Sequence, residues 1–366
     1  MLMNREELFI FLNLRSQLKY IMKAKILVTG GLGFIGSHTV VALLEQDYEV
    51  VIIDNLSNSS IEVLGGITKI TGKTPEFENF DLRNKEQVIE FFEKYPDING
   101  VIHFAASKAV GESVENPLLY YENNLSTLIN LLKQLTKKQE ASFIFSSSCT
   151  VYGQADTLPI NEDAPVKQAM SPYGNSKQIG EEIIMDTCRV HPNLKAISLR
   201  YFNPIGAHPS AEIGELPIGT PQNLIPFITQ TAIGKRDQLS VFGDDYPTAD
   251  GTCIRDYIHV MDLAQAHIVA LERLMNNKAG TNYDVFNLGT GKGNSVLEVI
   301  NNFQKTTGVK LPYKIVGRRE GDITAAYADT NKANSVLQWK AKYTLDDALK
   351  SAWKWEKKVK EKESEE

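Results

Sequence analysis

The stretch Lys25-Ile26-Leu27-Val28-Thr29-Gly30-Gly31-Leu32-Gly33-Phe34-Ile35-Gly36-Ser37-His38 decides the fold. Its first five residues are β-rich and almost wholly apolar, the pattern of a strand buried on both faces. Glycines follow at once, and 34–46 then reads as a helix. Glycine in such a turn permits positive φ, lets the backbone approach a pyrophosphate and seats the helix close to the strand, while the helix N-terminus adds N–H donors and a positive dipole end. Both Gly31-x-Gly33-x-x-Gly36 and Gly30-x-x-Gly33-x-x-Gly36 are present. A second strand, 49–53, ends on Asp54, where a carboxylate accepts hydrogen bonds from an adenosine ribose and repels a 2′-phosphate. A glycine turn alone is an ordinary helix start. Strand, glycines, helix, strand and acid together point to a dinucleotide, NAD rather than NADP.

Outward from that unit the alternation continues. Helices are expected at 87–94, 117–139 and 173–190, and strands at 100–104, 142–146 and 196–200. Strands alternating with helices predict an α/β, Rossmann-type doubly wound parallel sheet over 23–203. After Asn203 the texture changes, with Pro204, Gly206, Pro209, Gly214, Pro217, Gly219 and Pro221 punctuating a long irregular stretch. A smaller α/β C-terminal substrate lobe is expected over 204–353, with helices at 262–275, 295–306 and 346–358 and some segments returning to the first domain. The charged run at 354–366 reads as a solvated, fraying helix end.

Composition sets the outer limits. With 366 residues, 42% hydrophobic and 23% charged, the chain carries enough apolar material for a large core, which excludes disorder and fibrous repeats. The formal net charge of −6 offers no field to attract nucleic acid. Cys149, Cys188 and Cys253 show no C-x-x-C spacing, so a reduced, cytoplasmic setting is expected, with neither a disulfide scaffold nor a metal site. No apolar run approaches the roughly 20 residues that a membrane helix needs. The head at 1–22 has two readings: an extra segment before a start near Met22, or a short amphipathic helix that docks on a partner or surface.

The chemistry is expected at Tyr173-Gly174-Asn175-Ser176-Lys177, which sets a phenol and an ammonium four residues apart on one helix face. Using a phenol as a base near neutrality requires a shift of roughly three pH units, about 4 kcal/mol. A positive charge about 5 Å away at an effective dielectric near 20 supplies around 3 kcal/mol. Lys177 is therefore expected to provide most of the shift and the positive nicotinamide the remainder. Tyrosine and lysine four apart are common on helix surfaces. What adds weight is Ser146-Ser147-Ser148-Cys149-Thr150-Val151-Tyr152-Gly153 beyond the 142–146 strand, since ligands of open parallel sheets sit outside the carboxyl ends of strands. A polar turn accounts for Ser146 and Ser147 better than for Ser148.

With Tyr173-x-x-x-Lys177, the chain resembles the extended short-chain dehydrogenase/reductases, and within them the UDP-glucose 4-epimerase family. The longer stretches that carry this are His103-Phe104-Ala105-Ala106-Ser107-Lys108-Ala109-Val110-Gly111-Glu112-Ser113, Leu199 to Pro209, Ile254 to Ala264, and Arg318-Arg319-Glu320-Gly321-Asp322. The likeness runs from about Lys25 to Trp353. It implies that Tyr173, as phenolate, removes the proton of the sugar 4-hydroxyl while C4 gives its hydride to tightly held NAD. Ser148 would align that hydroxyl, and Lys177 would bind the nicotinamide ribose and lower the tyrosine's pKa. A transient 4-keto sugar would then turn and receive the hydride on its opposite face, interconverting UDP-glucose and UDP-galactose.

The resemblance also implies the binding residues. Around NAD it places Gly30, Gly33, Phe34, Ile35, Gly36, Asp54, Asn55, Asn58, Ser59, Phe104, Ala105, Lys108, Asn123 and Phe202, with Tyr173 and Lys177. Asp81-Leu82 would hold the adenine, although a turn-capping aspartate reads equally well. Around the UDP-sugar it places Ser148, Tyr173, Asn203, Asn223, Leu224, Phe242, Arg255, Arg319 and Asp322, with two guanidiniums suited to a diphosphate. Arg255 beside Asp256 also reads as a structural ion pair. Ala326 falls where a bulky tyrosine excludes N-acetylated sugars, so UDP-GlcNAc and UDP-GalNAc are expected as further substrates. A homodimer packed through helices of the nucleotide domain is implied as well. Two rivals remain. A nucleotide-sugar 4,6-dehydratase needs an Asp-Glu pair after Thr150, where Val151 and Tyr152 stand; a non-catalytic NAD-binding sensor or scaffold usually lacks the tyrosine or lysine, and both are present.

Overall fold

Strand β1 (Lys25–Thr29) sends Ile26 and Val28 to one side and Leu27 to the other, and all three are buried. A central strand of a parallel sheet requires this, because helices cover both faces. The computed structural model describes residues 24–319 and 321–365; the head at 1–22, with both of its readings, lies outside the described residues. From β1 the chain runs through α1 (Phe34–Glu45), β2 (Glu49–Ile53), α2 (Glu62–Thr71), β3 (Glu76–Glu78), α3 (Lys85–Lys94) and β4 (Ile98–His103). It continues through α4 (Val110–Glu115), α5 (Pro117–Leu135), β5 (Ala141–Ser148), α6 (Pro172–Val190) and β6 (Leu194–Tyr201).

The second half contributes β7 (Asn203–Ile205), α7 (Leu224–Ala232), β8 (Leu239–Phe242), β9 (Ile254–Arg255), β10 (Tyr257–His259), α8 (Val260–Met275) and β11 (Tyr283–Leu288). After these come β12 (Asn294–Ser295), α9 (Val296–Thr307), β13 (Tyr313–Val316), β14 (Ala325–Ala326) and α10 (Leu345–Glu365). Seven parallel strands form one sheet in the order β11-β6-β5-β4-β1-β2-β3. The strand order reverses between β1 and β4, which opens a crevice at their carboxyl ends. One face packs on α1 and α8 and the other on α3, α5 and α6. The expected doubly wound α/β sheet is therefore the fold.

Two features differ from the sequence reading, and a third gives one of the returning segments its place. Helix α2 and strand β3 were not expected, because Gly65-Gly66 inside 62–71 looks like loop punctuation. Gly66 is there for packing: a Cβ on it would lie 2.6 Å from the Glu212 carbonyl oxygen. Strand β11 joins the main sheet beside β6 although it lies far along the second half. The run at 354–366 is no free tail at its start. Trp355 and Glu356 are buried, Glu356 accepts from Thr229 Oγ1 at 2.9 Å and pairs with Lys235 at 3.2 Å, and Lys358 pairs with Glu212. The apolar stripe of α10 packs with α7, α9 and β8 in a separate core, and the charges of the run occupy its outer face.

Candidate active site

The glycine turn forms from backbone contacts that leave no room for side chains. Gly30 has φ +66°, and a Cβ there would stand 2.8 Å from Ala105 N; a Cβ on Gly36 would stand 2.1 Å from the Gly30 carbonyl oxygen. Gly33 is the N-cap of α1, and no side chain caps that helix end. A surface of bare backbone at a helix N-terminus, in the crevice between β1 and β4, fits a pyrophosphate. Phe34 and Ile35 open the helix half-buried, and Phe104 and Ala105 face Gly30 across the turn. Asp54 is buried: its carboxylate accepts from Leu32 N at 3.1 Å, Leu56 N at 3.0 Å and Ser59 Oγ at 2.8 Å. It thus ties the turn to the loop after β2, and a carboxylate still has acceptor capacity for ribose hydroxyls.

The remaining residues expected around NAD are spread along the same edge. Asn58 is exposed and Asn123 donates to Ser107 Oγ at 3.1 Å. Asn55 donates to Asp81 at 3.1 Å, and Asp81 also accepts from Arg83 N at 2.8 Å and from the Arg83 guanidinium. The Arg83 hydrogen bonds hold the Asp81 carboxyl below its ordinary range. Asp81 is therefore a turn-capping aspartate, with Leu82 buried behind it. Lys108 lies 3.5 Å from Glu215, whose carboxylate also accepts from Asn223 at 2.7 Å.

Strand β5 and the first turns of α6 bring the reacting trio together. Ser171 caps α6 by accepting from Gly174 N at 3.2 Å, which starts the helix just before Tyr173. Ser148 ends β5 and accepts from Thr150 N at 3.2 Å, and its hydroxyl is near enough to the Tyr173 phenol to favour the ionised form. Lys177 is buried, donates to the Ser146 carbonyl at 2.7 Å, and has its Nζ 5.8 Å from the Tyr173 ring centre. Burial pushes the Tyr173 phenol up to about 12, against the lowering effect of the nearby Ser148 hydroxyl. Burial likewise pulls Lys177 down to about 7, against the Glu181 carboxylate. In the chain alone both groups are therefore held toward their neutral forms, whereas the lowering of the tyrosine was expected from Lys177 together with the positive nicotinamide. Desolvation disfavours the charged form of each, because both groups are removed from water.

The expected UDP-sugar residues gather around β9 and β14. Arg319 makes a two-pronged pair with Asp322 at 3.1 and 2.8 Å, and Arg255 lies 3.7 Å from the same carboxylate. The Arg319 guanidinium is 5.5 Å from the ring of Phe242, which is largely exposed. The alternative pairing of Arg255 with Asp256 is not found. Asp256 is fully buried and accepts from Thr290 N, Thr290 Oγ1, Gly291 N and Ala328 N at 2.6–3.2 Å. Ala326 pairs with Arg255 in the β14–β9 ladder and is buried beside Phe202, Val151 and Tyr152. Asn203 opens β7, and Asn223 and Leu224 open α7.

Sequence reasoning missed three acids: Glu181, Glu215 and Asp256. Glu181 had a readable signal, since it stands four residues beyond Lys177 on the same helix face. Val151 and Tyr152, at the place where a dehydratase carries its acids, are fully buried in an apolar cluster. Among the described residues no three His, Cys, Asp or Glu gather as a metal site, and no helix is long and apolar enough to cross a membrane.

Comparison with known proteins gives the following. The family model described as GDP-mannose 4,6 dehydratase matches residues 27–352. The UDP-glucose 4-epimerase of Dictyostelium discoideum is 50% identical over 332 residues, 91% of this chain and 95% of that protein. The crystal structure of UDP-glucose-4-epimerase from Stenotrophomonas maltophila, with bound NAD and formylated UDP-arabinopyranose, superposes with a TM-score of 0.89 at 46% identity, covering 93% of this chain and 99% of that one. The Bifidobacterium longum UDP-glucose 4-epimerase in complex with NAD+ and UDP gives 0.88 at 45% identity, covering 92% and 98%.

Proposed function

We take as premise that the chain belongs to the UDP-glucose 4-epimerases, NAD-dependent isomerases, and we propose that Ser148, Tyr173 and Lys177 carry its reaction. NAD, when bound, supplies a hydride acceptor that returns what it takes, so C4 is inverted with no net oxidation. The chain's own residues handle the proton and the orientation. Tyr173 Oη takes the proton of the sugar 4-hydroxyl and gives it back. Ser148 holds that hydroxyl at the phenol, and Lys177 anchors the cofactor ribose from the carboxyl end of β5. Gly30, Gly33 and Gly36 admit the pyrophosphate, and Asp54 receives the adenosine ribose. Arg255 and Arg319 hold the UDP diphosphate, with Asp322 accepting from the uridine ribose. The observation that carries this reading is the buried Lys177, fixed to the Ser146 carbonyl at the end of β5 with its Nζ 5.8 Å from the Tyr173 ring centre and Ser148 closing the same strand, where such sheets bind ligands. A 4,6-dehydratase is disfavoured by the buried apolar pair Val151 and Tyr152.

Three finer statements belong to the same proposal. The small Ala326 leaves room at the sugar 2-position, so UDP-GlcNAc and UDP-GalNAc are substrates too. The chain forms a homodimer through α5 and α6, which is supported by the exposed Leu118 and Leu119 on the first and Met185 and Val190 on the second. It works in the cytoplasm, supported by three free cysteines, two of them buried. Incubating the purified chain with each of the four UDP-sugars, without added NAD, tests the assignment. Turnover of all four is expected; failure with UDP-GalNAc alone would remove the Ala326 reading. Tyr173→Phe is expected to lose at least about a hundredfold in turnover, and an unchanged rate would remove the catalytic assignment.

A further inference from the structure

We propose that Glu181 is a positioning residue for the reacting trio, acting through Ser147 and Arg200 on the segment that carries Ser148. This rests on the epimerase reading above. Tyr173, Lys177 and Glu181 follow one another at four-residue steps on the face of α6 that meets β5. Along β5, Phe143, Phe145 and Ser147 point toward α6, and Ser147 is the last to do so before Ser148 ends the strand. Its hydroxyl donates to Glu181 Oε1 at 2.5 Å. Lys177, one turn earlier, is fixed to the carbonyl of Ser146. Successive helix turns therefore grip successive residues of the strand end.

Glu181 is itself held from the other side. Arg200 on β6 donates through Nε to Oε1 at 2.9 Å and through Nη2 to Oε2 at 2.5 Å, and both side chains are buried. Ser147, Arg200 and Asn287 are register partners across β5, β6 and β11. The Arg200 guanidinium lies 4.8 Å from the Tyr152 ring centre, and Tyr152 donates to Asn287 Oδ1 at 2.7 Å. Tyr152 closes the helical turn Cys149–Tyr152 that follows Ser148. The Glu181–Arg200 pair thus clamps the chain immediately before Ser148, at Ser147, and shortly after it, at Tyr152. A buried ion pair contributes little net stability compared with well-packed apolar side chains, but it fixes geometry through several directed hydrogen bonds. The geometry fixed here is the position of Ser148 against Tyr173. The Glu181 carboxylate also opposes the loss of charge that burial imposes on Lys177.

The test uses the full chain with UDP-galactose and compares Glu181→Gln, Ser147→Ala and the double variant Glu181→Leu/Arg200→Leu. Glu181→Gln is expected to lower kcat about tenfold to a hundredfold with KM within about twofold, since an altered position of reacting groups acts on the chemical step. Ser147→Ala, which removes one hydroxyl and leaves the ion pair intact, should lower kcat in the same direction by several-fold. The double variant removes the buried charges together; it should keep its circular dichroism and remain as slow as the single. A KM rise at constant kcat, wild-type kcat in Glu181→Gln, or restored kcat in the double variant overturns the proposal. If Glu181→Gln does not fold, Ser147→Ala decides alone. Tyr173→Phe runs alongside: were it inactive and Glu181→Gln fully active, only the Glu181 assignment would fall, whereas an active Tyr173→Phe would remove the epimerase chemistry itself.

Discussion

Two buried histidines make the fold sensitive to mild acid. His38 on α1 and His267 on α8 are both fully buried, and each bonds through Nδ1 to the carbonyl four residues earlier, Phe34 O at 2.7 Å and Leu263 O at 2.8 Å. A carbonyl only accepts, so Nδ1 carries the hydrogen and Nε2 is the bare nitrogen. Neither Nε2 has a hydrogen-bond partner in the structure, so a proton added there would bring a buried charge without an acceptor. Burial accordingly holds His38 down to about 3 and His267 down to about 4, from an ordinary 6.5. The unfolded chain takes up these protons first, so stability is lost as pH falls below about 6.5 and continues to fall until the folded values are reached. At pH 5 each ring costs about 2 kcal/mol relative to neutrality, about 4 kcal/mol for the pair. That is a large share of a typical 5–15 kcal/mol. The assay is urea unfolding followed by tryptophan fluorescence at pH 7.5 and pH 5.0, for the parent chain and for His38→Leu/His267→Phe. The difference between the two pH values should shrink by about 4 kcal/mol in the variant. An equal pH difference in both proteins would refute the reasoning, whatever the substitutions cost at either pH.

Gly36→Ala places a Cβ 2.1 Å from the Gly30 carbonyl oxygen, so the turn must open; the purified variant should release no NAD on denaturation, and retained cofactor would contradict the cradle. Ala326→Tyr should abolish turnover of UDP-GalNAc while UDP-galactose is still epimerised, as resolved by chromatography of the products. Asp256→Ala strands the N–H groups of Thr290, Gly291 and Ala328, at roughly 1–3 kcal/mol each. It should lower the urea midpoint and weaken UDP binding measured by calorimetry, because Arg255 and Ala326 sit on the strands it joins.

The parts of this molecule that repeat a local rule were readable in the sequence. The β1–α1–β2 unit follows from an apolar run, glycines and an acid at fixed spacing, and the structure reproduces 25–29, 34–45 and 49–53 nearly residue for residue. Helix α2 was hidden by Gly65-Gly66, since a glycine chosen for close approach to Glu212 looks the same as one chosen for a turn. Tyr173, Lys177 and Ser148 were legible because the helix period and the strand end place them together. Glu181 was legible only in its spacing from Lys177, and Glu215 and Asp256 not at all, because each acts on partners far along the chain: Arg200 on a neighbouring strand, Lys108 on another loop, and Thr290 beyond β11. The burial acting on Tyr173 was not legible for a related reason. Charge separation can be reckoned from helix geometry, but burial depends on everything packed around the pair.

Glu215 and Asp322 also bear on how a chain of net charge −6 can recognise two anionic diphosphates. The cationic and amide groups expected to meet them are not bare. Arg255 and Arg319 share Asp322, while Lys108 and Asn223 share Glu215. Lys108 and Glu215 nearly cancel at long range, and the two guanidiniums on Asp322 leave a single positive charge, so the site projects a reduced field into solvent, in keeping with the acidic chain around it. Hydrogen-bond geometry survives this cancellation. A guanidinium has more donors than the Asp322 contacts use, and the carboxylate fixes the plane in which the others point. On the proposed assignment, selectivity for a diphosphate comes from donors aimed within hydrogen-bond range by neighbouring acids, together with the backbone N–H groups at the start of α1, more than from a basic surface. On that assignment, acids such as Asp322 and Glu215 serve recognition even where they repel the ligand's charge, because they fix the direction of the donors they pair with.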